Sequence, residues 1–169
     1  HLASMNAQDW ENNPEQAKML NGYGTLNLIN AARNEGIKKF IYFSSIHVYG
    51  NKLTGEINED SLTRPNHPYA TTRLVAENFV RKINNDNSCM QSLILRLSNT
   101  IGRPLSKETN IWMLVAHDLC RQSVIQRKLV LHGNGQQQRD FMSITDLLRL
   151  VKLIVKKDDF RYDLMNVGK

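Results

Sequence analysis

The chain of 169 residues is 41% hydrophobic and 22% charged, which is enough apolar material for one soluble domain with a core. No apolar run approaches the roughly 18 to 20 residues of a membrane span, and no signal peptide precedes the first amphipathic segment, so we expect a cytoplasmic protein without a membrane partner. The formal net charge of +6 permits nucleic acid as a partner and equally suits an anionic small molecule. Because the Lys and Arg residues are dispersed, we expect the small molecule and no nucleic acid.

The cysteines and histidines give no metal or disulfide pattern. Cys89 and Cys120 stand apart without C-x-x-C spacing, which favours two reduced, buried thiols in a cytoplasmic protein. The five histidines are scattered without the spacing of metal ligands, so we assign no metal.

The first long helix is predicted from Pro14, with Asn13 as its cap, to a stop at Gly36. Apolar or small residues recur on one face with a period of about 3.6: Ala17, Leu20, Gly24, Leu28 and Ala31. Gly22 and Gly24 each cost about 1 kcal/mol of helix propensity. We therefore expect this helix to approach a sheet closely at the two glycines.

A short strand is predicted over Phe40–Phe43, because an unbroken apolar run suits a parallel strand that is covered on both faces. Ser44 and Ser45 follow, and ligands of open α/β sheets bind outside the carboxyl ends of the strands. Tyr69 and Arg73 open the next helix, and their i, i+4 spacing places a phenol and a positive charge on one face. These are the components of a proton-transfer site, although paired serines are more often a turn or a cap, and such a Tyr–Arg pair is usually a surface contact.

The rest of the chain continues the alternation of helices and strands. Residues 51–66 are polar and punctuated by Gly55 and Pro65, which predicts a loop that either covers a substrate or only connects. A helix is predicted from Pro68, with an apolar side formed by Leu74, Val75, Phe79 and Ile83. Strands are predicted at Ser92–Leu97 and Lys128–His132, a helix at Ile111–Ile125 and a turn at Gly133–Gly135. A last helix is predicted with Ser143 and Asp146 as its cap, and its apolar residues are Leu147, Leu148, Val151 and Ile154.

These motifs resemble a known family. SSIHVYG followed by PYATTR is similar to the active-site region of the extended short-chain dehydrogenase/reductases, also called the NAD-dependent epimerase/dehydratase family. The resemblance implies that Ser45 orients the substrate and that Tyr69 is the catalytic acid/base, while Arg73 stands where the family has lysine. A free tyrosine has a pKa of about 10, so it needs a nearby cation to act as a base at neutral pH.

Further segments follow the family's pattern in the expected order. HLAS, with Leu2 and Ala3, resembles the family's HLAA, which closes the fourth strand and contacts the cofactor; a vector-derived remnant is the competing explanation. Asn21 matches the asparagine of the N-x-x-G-T helix, which lies at the active site or holds the backbone. LRLSNTIGRP resembles LRxxNxxGP, whose asparagine, here Asn99, contacts substrate. GNGQQQRDF resembles a segment whose arginine, here Arg139, clamps the diphosphate of a nucleotide-sugar, the alternative being a surface arginine without a ligand.

The resemblance also implies a fold and a set of ligands. The implied fold is α/β, a Rossmann-like doubly wound parallel sheet. Residues 1–104 would be the C-terminal part of the NAD(P)-binding domain. Residues 105–169 would be substrate-domain elements and returning strand and helix segments, including a strand at Asp163–Gly168. The cofactor, NAD or NADP, is assigned to Leu2, Ala3, Asn21, Ser44, Tyr69 and Arg73. The substrate, a nucleotide-sugar or a similar phosphorylated small molecule, is assigned to Ser45, His47, Asn99 and Arg139. The assembly is expected to be a homodimer.

One family motif does not occur in the sequence. No G-x-x-G-x-x-G is present, so the pyrophosphate cradle is expected to be missing, either because the chain is a fragment or because it is a natural truncated relative. The expected function is an NAD(P)-dependent nucleotide-sugar epimerase/dehydratase or reductase, truncated and with Arg73 in place of lysine. The alternative is a non-catalytic nucleotide-binding or interaction protein of the same fold.

Overall fold

The computed structural model describes residues 1–51, 55–85, 89–106, 108–131 and 133–168, which form two compact units. Unit 1 contains His1–Ser98 and Ile154–Val167, and unit 2 contains Asn99–Leu153 with Gly168. The strands are β1 (Lys39–Ser45), β2 (Gln91–Leu97), β3 (Asn99–Ile101), β4 (Phe141–Ser143) and β5 (Leu164–Val167). The α-helices are α1 (Ala7–Asn12), α2 (Pro14–Lys18), α3 (Thr25–Asn34), α4 (Pro68–Asn85), α5 (Val115–Ile125) and α6 (Ile144–Val155).

Unit 1 is built on a three-stranded parallel sheet in the order β1-β2-β5. The pairing of β1 with β2 runs from Lys39 opposite Gln91 to Ser45 opposite Leu97. β2 lies in the middle and is buried from Ser92 to Arg96, as an apolar strand covered on both faces should be. The predicted α/β fold with a parallel sheet is confirmed, and its three strands match the predicted ones to within two residues at each end.

The core of unit 1 forms where α4 packs on β1 and β2 and where α3 packs on α4. Its buried members are Ile29, Phe40, Tyr42, Ala76, Val80, Ile83, Met90 and Ile94. The apolar side predicted for α4 is only partly correct, because Ala76 and Val80 reach the core whereas Val75 is 41% exposed. The buried stripe also contains Glu77, a polar residue that the apolar pattern does not include.

The predicted helix from Pro14 to Gly36 is not a uniform α-helix. A π-helical segment, Met19–Gly24, separates α2 from α3. The wider i→i+5 turn displaces the buried stripe, so that Leu20 and Leu28 are 37% and 42% exposed. The close approach expected at the glycines is wrong, since a Cβ on Gly22 would meet no atom within 4 Å.

Unit 2 contains a two-stranded parallel sheet, in which Asn99 of β3 lies opposite Phe141 of β4. The predicted helix Ile111–Ile125 is divided into a 3₁₀ turn, Asn110–Met113, and α5, because Leu114 between them is extended with ψ of 131°. Residues 128–131 form no strand, contrary to the prediction, and His132 lies outside the described residues. The predicted cap of α6 is confirmed, because the Asp146 N–H donates to Ser143 Oγ at 3.0 Å.

The two cysteines lie at the surface. Cys89 and Cys120 are free, as expected, but both are exposed, so their predicted burial is wrong. Cys89 lies in the bend before β2, and the buried side chains of α5 are His117 and Gln122 rather than the thiol. None of the described helices combines the length and the apolar character that crossing a membrane requires.

Candidate active site

The carboxyl end of β1 is closed by a tight turn. Ser45 is 7% exposed, and its Oγ accepts the His47 N–H at 3.3 Å, so it caps the 3₁₀ turn Ile46–Tyr49. Gly50 ends this turn with φ of 92°, and a Cβ there would lie 2.5 Å from the Arg64 carbonyl oxygen. Only glycine therefore fits at the end of the VYG motif. The capping geometry holds the Ser45 hydroxyl at the strand end.

Tyr69 and Arg73 are in direct contact on the first turns of α4. Arg73 Nε donates to the Tyr69 hydroxyl at 3.2 Å, and the guanidinium carbon lies 5.2 Å from the centre of the Tyr69 ring. His67, just before the helix, accepts the Tyr69 backbone N–H through Nδ1 at 3.2 Å. The structure thus brings together the phenol and the cation that the i, i+4 spacing predicted.

The guanidinium of Arg73 is also anchored to β1. Its Nη1 donates to the Phe43 carbonyl oxygen at 2.9 Å and to the Tyr42 hydroxyl at 3.4 Å, and the guanidinium carbon is 5.9 Å from the Tyr42 ring centre. Sequence reasoning treated Tyr42 only as part of an apolar run. Its hydroxyl was the available signal, because a buried tyrosine usually needs a hydrogen-bond partner.

These contacts leave a permanent positive charge beside two phenols. Burial works to lower the pKa of Arg73, but the charges and hydrogen bonds of Tyr69 and Tyr42 outweigh it and raise this pKa above its ordinary value. Burial raises the pKa of Tyr42, and the Arg73 charge offsets part of that increase. The cluster therefore places the Arg73 guanidinium within hydrogen-bond distance of the Tyr69 hydroxyl, where a catalytic tyrosine needs a cation.

Asn21 is buried and holds backbone in place. Its Oδ1 accepts the Met5 N–H at 2.8 Å, and its Nδ2 donates to the Met5 carbonyl oxygen at 3.0 Å and to Thr72 Oγ1 at 3.2 Å. Thr72 Oγ in turn donates to the Tyr69 carbonyl oxygen at 2.8 Å. Asn21 thus ties the segment before α1 to the turn of α4 that carries Tyr69.

Ser44 belongs to a buried polar network next to this site. Its Oγ donates to Glu77 Oε1 at 2.5 Å, and the Glu77 carboxylate pairs with Arg96, with Nη2 to Oε2 at 2.7 Å and Nε to Oε1 at 3.0 Å. Glu77 and Arg96 are 0% and 1% exposed. Arg96 Nη1 also donates to the Tyr49 hydroxyl at 2.7 Å. Burial works to lower the pKa of Arg96, but Glu77 outweighs it and the pKa is raised.

Sequence reasoning missed this network. An arginine inside the apolar strand SLILRL and a glutamate on the apolar side of α4 were the available signals. Charged side chains are almost never fully buried unless they are paired. The pairing of β1 with β2 places Ser44 opposite Arg96, so the network joins the strand end to the helix that carries Tyr69 and Arg73.

The remaining predicted residues of unit 1 lie at the surface. The His1 amine donates to the Ile41 carbonyl oxygen at 2.7 Å, and the Phe43 N–H donates to the His1 carbonyl oxygen at 3.3 Å, so the first residue lies along the edge of β1. Leu2 and Ala3 follow and are exposed, and His47 is exposed after Ser45. These positions leave the side chains accessible beside the carboxyl half of β1.

The other two predicted residues belong to unit 2. Asn99 lies on β3, where its Nδ2 donates to the Asp140 carbonyl oxygen at 2.9 Å. Arg139 is exposed and donates to the Gln138 carbonyl oxygen at 3.1 Å and to Gln137 Oε1 at 2.8 Å. Within the described residues these neutral groups are its hydrogen-bond acceptors, so its charge is not neutralised by a carboxylate.

The site has the arrangement of a Rossmann-type fold, in which ligands bind at the carboxyl edge of a parallel sheet. Hydroxyl groups lie at the end of a strand, and the helix that follows presents a phenol and a cation. The chain belongs to the NAD dependent epimerase/dehydratase family, whose sequence model matches residues 1–168. Members of this family are enzymes.

Known proteins support this assignment over part of their length. The mouse (Mus musculus) dTDP-D-glucose 4,6-dehydratase is 33% identical over 151 residues, which is 88% of this chain and 40% of that protein. A UDP-glucuronic acid 4-epimerase from Bacillus cereus, in complex with NAD, superposes with a TM-score of 0.83 at 28% identity over 99% of this chain and 52% of its own. RMD from Pseudomonas aeruginosa, complexed with NADPH, superposes with a TM-score of 0.79 at 26% identity, over 99% of this chain and 59% of its own. The chain therefore spans about half the length of these relatives.

Proposed function

We propose that this chain carries the catalytic residues of an NAD(P)-dependent nucleotide-sugar epimerase/dehydratase or reductase. The observation that carries the proposal is the 3.2 Å contact between Arg73 Nε and the Tyr69 hydroxyl, with Arg73 anchored to the Phe43 carbonyl oxygen. This contact places the fixed charge of Arg73 next to the Tyr69 hydroxyl, the group that the reaction needs as both acid and base. The names of the relatives, which are dehydratases and epimerases of nucleotide-sugars, support the same reaction class.

In this mechanism Tyr69 exchanges a proton with a sugar oxygen, and a bound nicotinamide would supply the redox chemistry at the sugar carbon. Arg73 stabilises the phenolate by charge and by its Nε–H, but a guanidinium does not relay protons. Ser45, held at the strand end, donates a hydrogen bond to the same sugar oxygen. The proton must therefore reach Tyr69 by a route that does not pass through Arg73.

The residues present fit a dinucleotide at this site. Among the described residues, none accepts a hydrogen bond from Arg73 Nη2, so the two N–H groups of this atom are available to the hydroxyls of a cofactor ribose. The accessible backbone at Leu2 and Ala3 lies along the same half of β1. We assign cofactor contacts to these residues, together with Asn21, Ser44 and Tyr69.

The substrate contacts are proposed from accessibility and charge. Among the described residues, no carboxylate pairs with the Arg139 guanidinium, and a planar guanidinium binds phosphate oxygens bidentately. Asn99 and His47 are assigned to the sugar side of the substrate, with Ser45.

The second candidate is a nucleotide-binding or interaction protein without catalysis. Arg73 favours it, because the family's pattern has lysine at this position. Calorimetric titration with NAD(H) and NADP(H), followed by product analysis with dTDP-glucose and UDP-glucose, separates the two. Binding with conversion supports the enzyme, binding alone supports the second candidate, and no binding contradicts both.

We also propose a homodimer in the cytoplasm. Apolar side chains are exposed on the π-helical segment and on α3 and α4, including Met19 and Tyr23 at 58% each and Leu28 at 42%. Exposed apolar side chains on neighbouring helices support an interface with a second copy of the chain. The two free cysteines suit a reducing compartment. Sedimentation at several concentrations tests the assembly, and a monomer at all of them contradicts it.

A further inference from the structure

We propose that Tyr42 is a positioning residue of this site, which holds the Arg73 guanidinium in the orientation that directs Nε at the Tyr69 hydroxyl. The inference rests on the proposed roles of Tyr69 and Arg73. It assigns a function to a strand residue that the motif SSIHVYG and the segment PYATTR do not contain.

The geometry joins the three side chains across two elements. Tyr42 lies on β1, is 1% exposed, and accepts a hydrogen bond from Arg73 Nη1 at 3.4 Å. Its ring centre is 5.9 Å from the guanidinium carbon, and the Tyr69 ring centre is 5.2 Å from the same atom. Arg73 is therefore within cation–π distance of one phenol on the strand and one on the helix.

The shape of the guanidinium makes this anchoring effective. Its nitrogens form a rigid plane, so fixing Nη1 between the Phe43 carbonyl oxygen and the Tyr42 hydroxyl also fixes the direction of the Nε–H bond. A lysine ammonium is a point charge with rotating donors and has no such plane to orient. Tyr42 is thus the contact that adapts the site to arginine.

The burial of the hydroxyl argues for a purpose beyond packing. A phenylalanine would fill the same core position, and a buried hydroxyl without a partner costs free energy. Within the described residues, Arg73 is the hydrogen-bond partner of the Tyr42 hydroxyl. The hydroxyl and the guanidinium therefore depend on each other.

The direct test measures the orientation of Arg73 without any substrate. In the ¹⁵N-labelled chain, the exchange rate of the Arg73 Nε–H with water is compared between the parent and Tyr42→Phe, with the signal assigned by its loss in Arg73→Lys. We expect exchange to become about 2- to 10-fold faster, the effect of losing one hydrogen bond. Tyr49→Phe is the matched control, because it removes a buried hydroxyl bonded to a different arginine, Arg96, and should leave this exchange rate unchanged.

An unchanged exchange rate in folded Tyr42→Phe, or an equal change in Tyr49→Phe, overturns the proposal. Thermal melts show whether each variant folds. If Tyr42→Phe does not fold, nuclear Overhauser effects in the parent decide instead: contacts between the Tyr42 ring protons and the Arg73 Nε–H support the proposal, and their absence overturns it.

Turnover tests the functional part separately. With dTDP-glucose or UDP-glucose and NAD, Tyr42→Phe should lower kcat by about 3- to 10-fold and leave the KM of the sugar nearly unchanged. In the Arg73→Lys background the same change should cost less than about twofold, because no planar group remains to be oriented. Equal losses in both backgrounds overturn the positioning role. If the parent shows no turnover, the proposed function fails, and the exchange measurement still decides the contact.

Discussion

Unit 1 contains two arginine clusters that involve the helix α4, and they differ in how the arginine charge is balanced. Arg96 is 1% exposed and forms a bidentate pair with the Glu77 carboxylate. Arg73 is half-buried and contacts two phenols and a backbone carbonyl, and no carboxylate among the described residues pairs with it. A neutralised ion pair stabilises one arrangement of the chain, whereas an unneutralised charge remains available to an anion that forms during a reaction.

The largest expected effect concerns the Arg73 cluster. Tyr69→Phe removes one partly exposed hydroxyl, and it should lower kcat by about 10²- to 10⁴-fold, the usual contribution of a general acid–base group. The melting temperature and cofactor affinity should stay close to those of the parent, because the ring remains in place. Turnover measured beside a thermal melt checks this, and retained turnover would remove Tyr69 from the mechanism.

A substitution in the Arg96 cluster should lower the stability of the fold. Glu77→Gln leaves a buried guanidinium without its counter-charge, so the free energy of unfolding should fall by about 3 to 5 kcal/mol. Denaturant unfolding measures the loss. The double variant Glu77→Leu with Arg96→Met, which removes both charges, should recover much of it. If Glu77→Gln is as stable as the parent, the pair does not stabilise the fold.

A smaller effect is expected for the exposed cation of unit 2. Arg139→Ala should raise the KM for a nucleotide-sugar by roughly 10- to 100-fold, since a charge-assisted hydrogen bond contributes about 1.5 to 3 kcal/mol. Steady-state kinetics at low and high salt check this, because added salt should reduce the difference. Arg103→Ala is a control that removes another exposed arginine of unit 2. An unchanged KM at low salt would indicate a substrate without phosphate.

The smallest expected effect is that of replacing Arg73 by the lysine of the family's pattern. Arg73→Lys keeps the charge but loses the planar contacts to Tyr42 and the Phe43 carbonyl oxygen. We expect kcat to fall by about 2- to 10-fold, the effect of one or two neutral hydrogen bonds. Single-turnover kinetics under saturating cofactor measure it. A rise in kcat would mean that Arg73 is only a poorer substitute for lysine, without a role of its own.

Sequence patterns were most informative where the interaction is local. The contact of Tyr69 with Arg73 and the cap between Ser143 and Asp146 join residues four and three positions apart, and both were predicted. The buried face of the helix after Pro14 was predicted incorrectly, because a π-helical segment changes the period that the prediction assumed. Local spacing therefore carries information only while the helix keeps its expected geometry.

The sequence by itself determined the parallel α/β class, the strands β1 and β2 and the proximity of Tyr69 to Arg73, because apolar runs and short spacings are encoded within a few residues. The strand β5 was predicted from the family resemblance. Only the tertiary structure decided the partners of the two arginines. Tyr42 and Arg73 are 31 residues apart, and Glu77 and Arg96 are 19 apart. Such pairs form when strands and helices pack, and a linear pattern of polar and apolar residues does not specify which buried polar groups will meet.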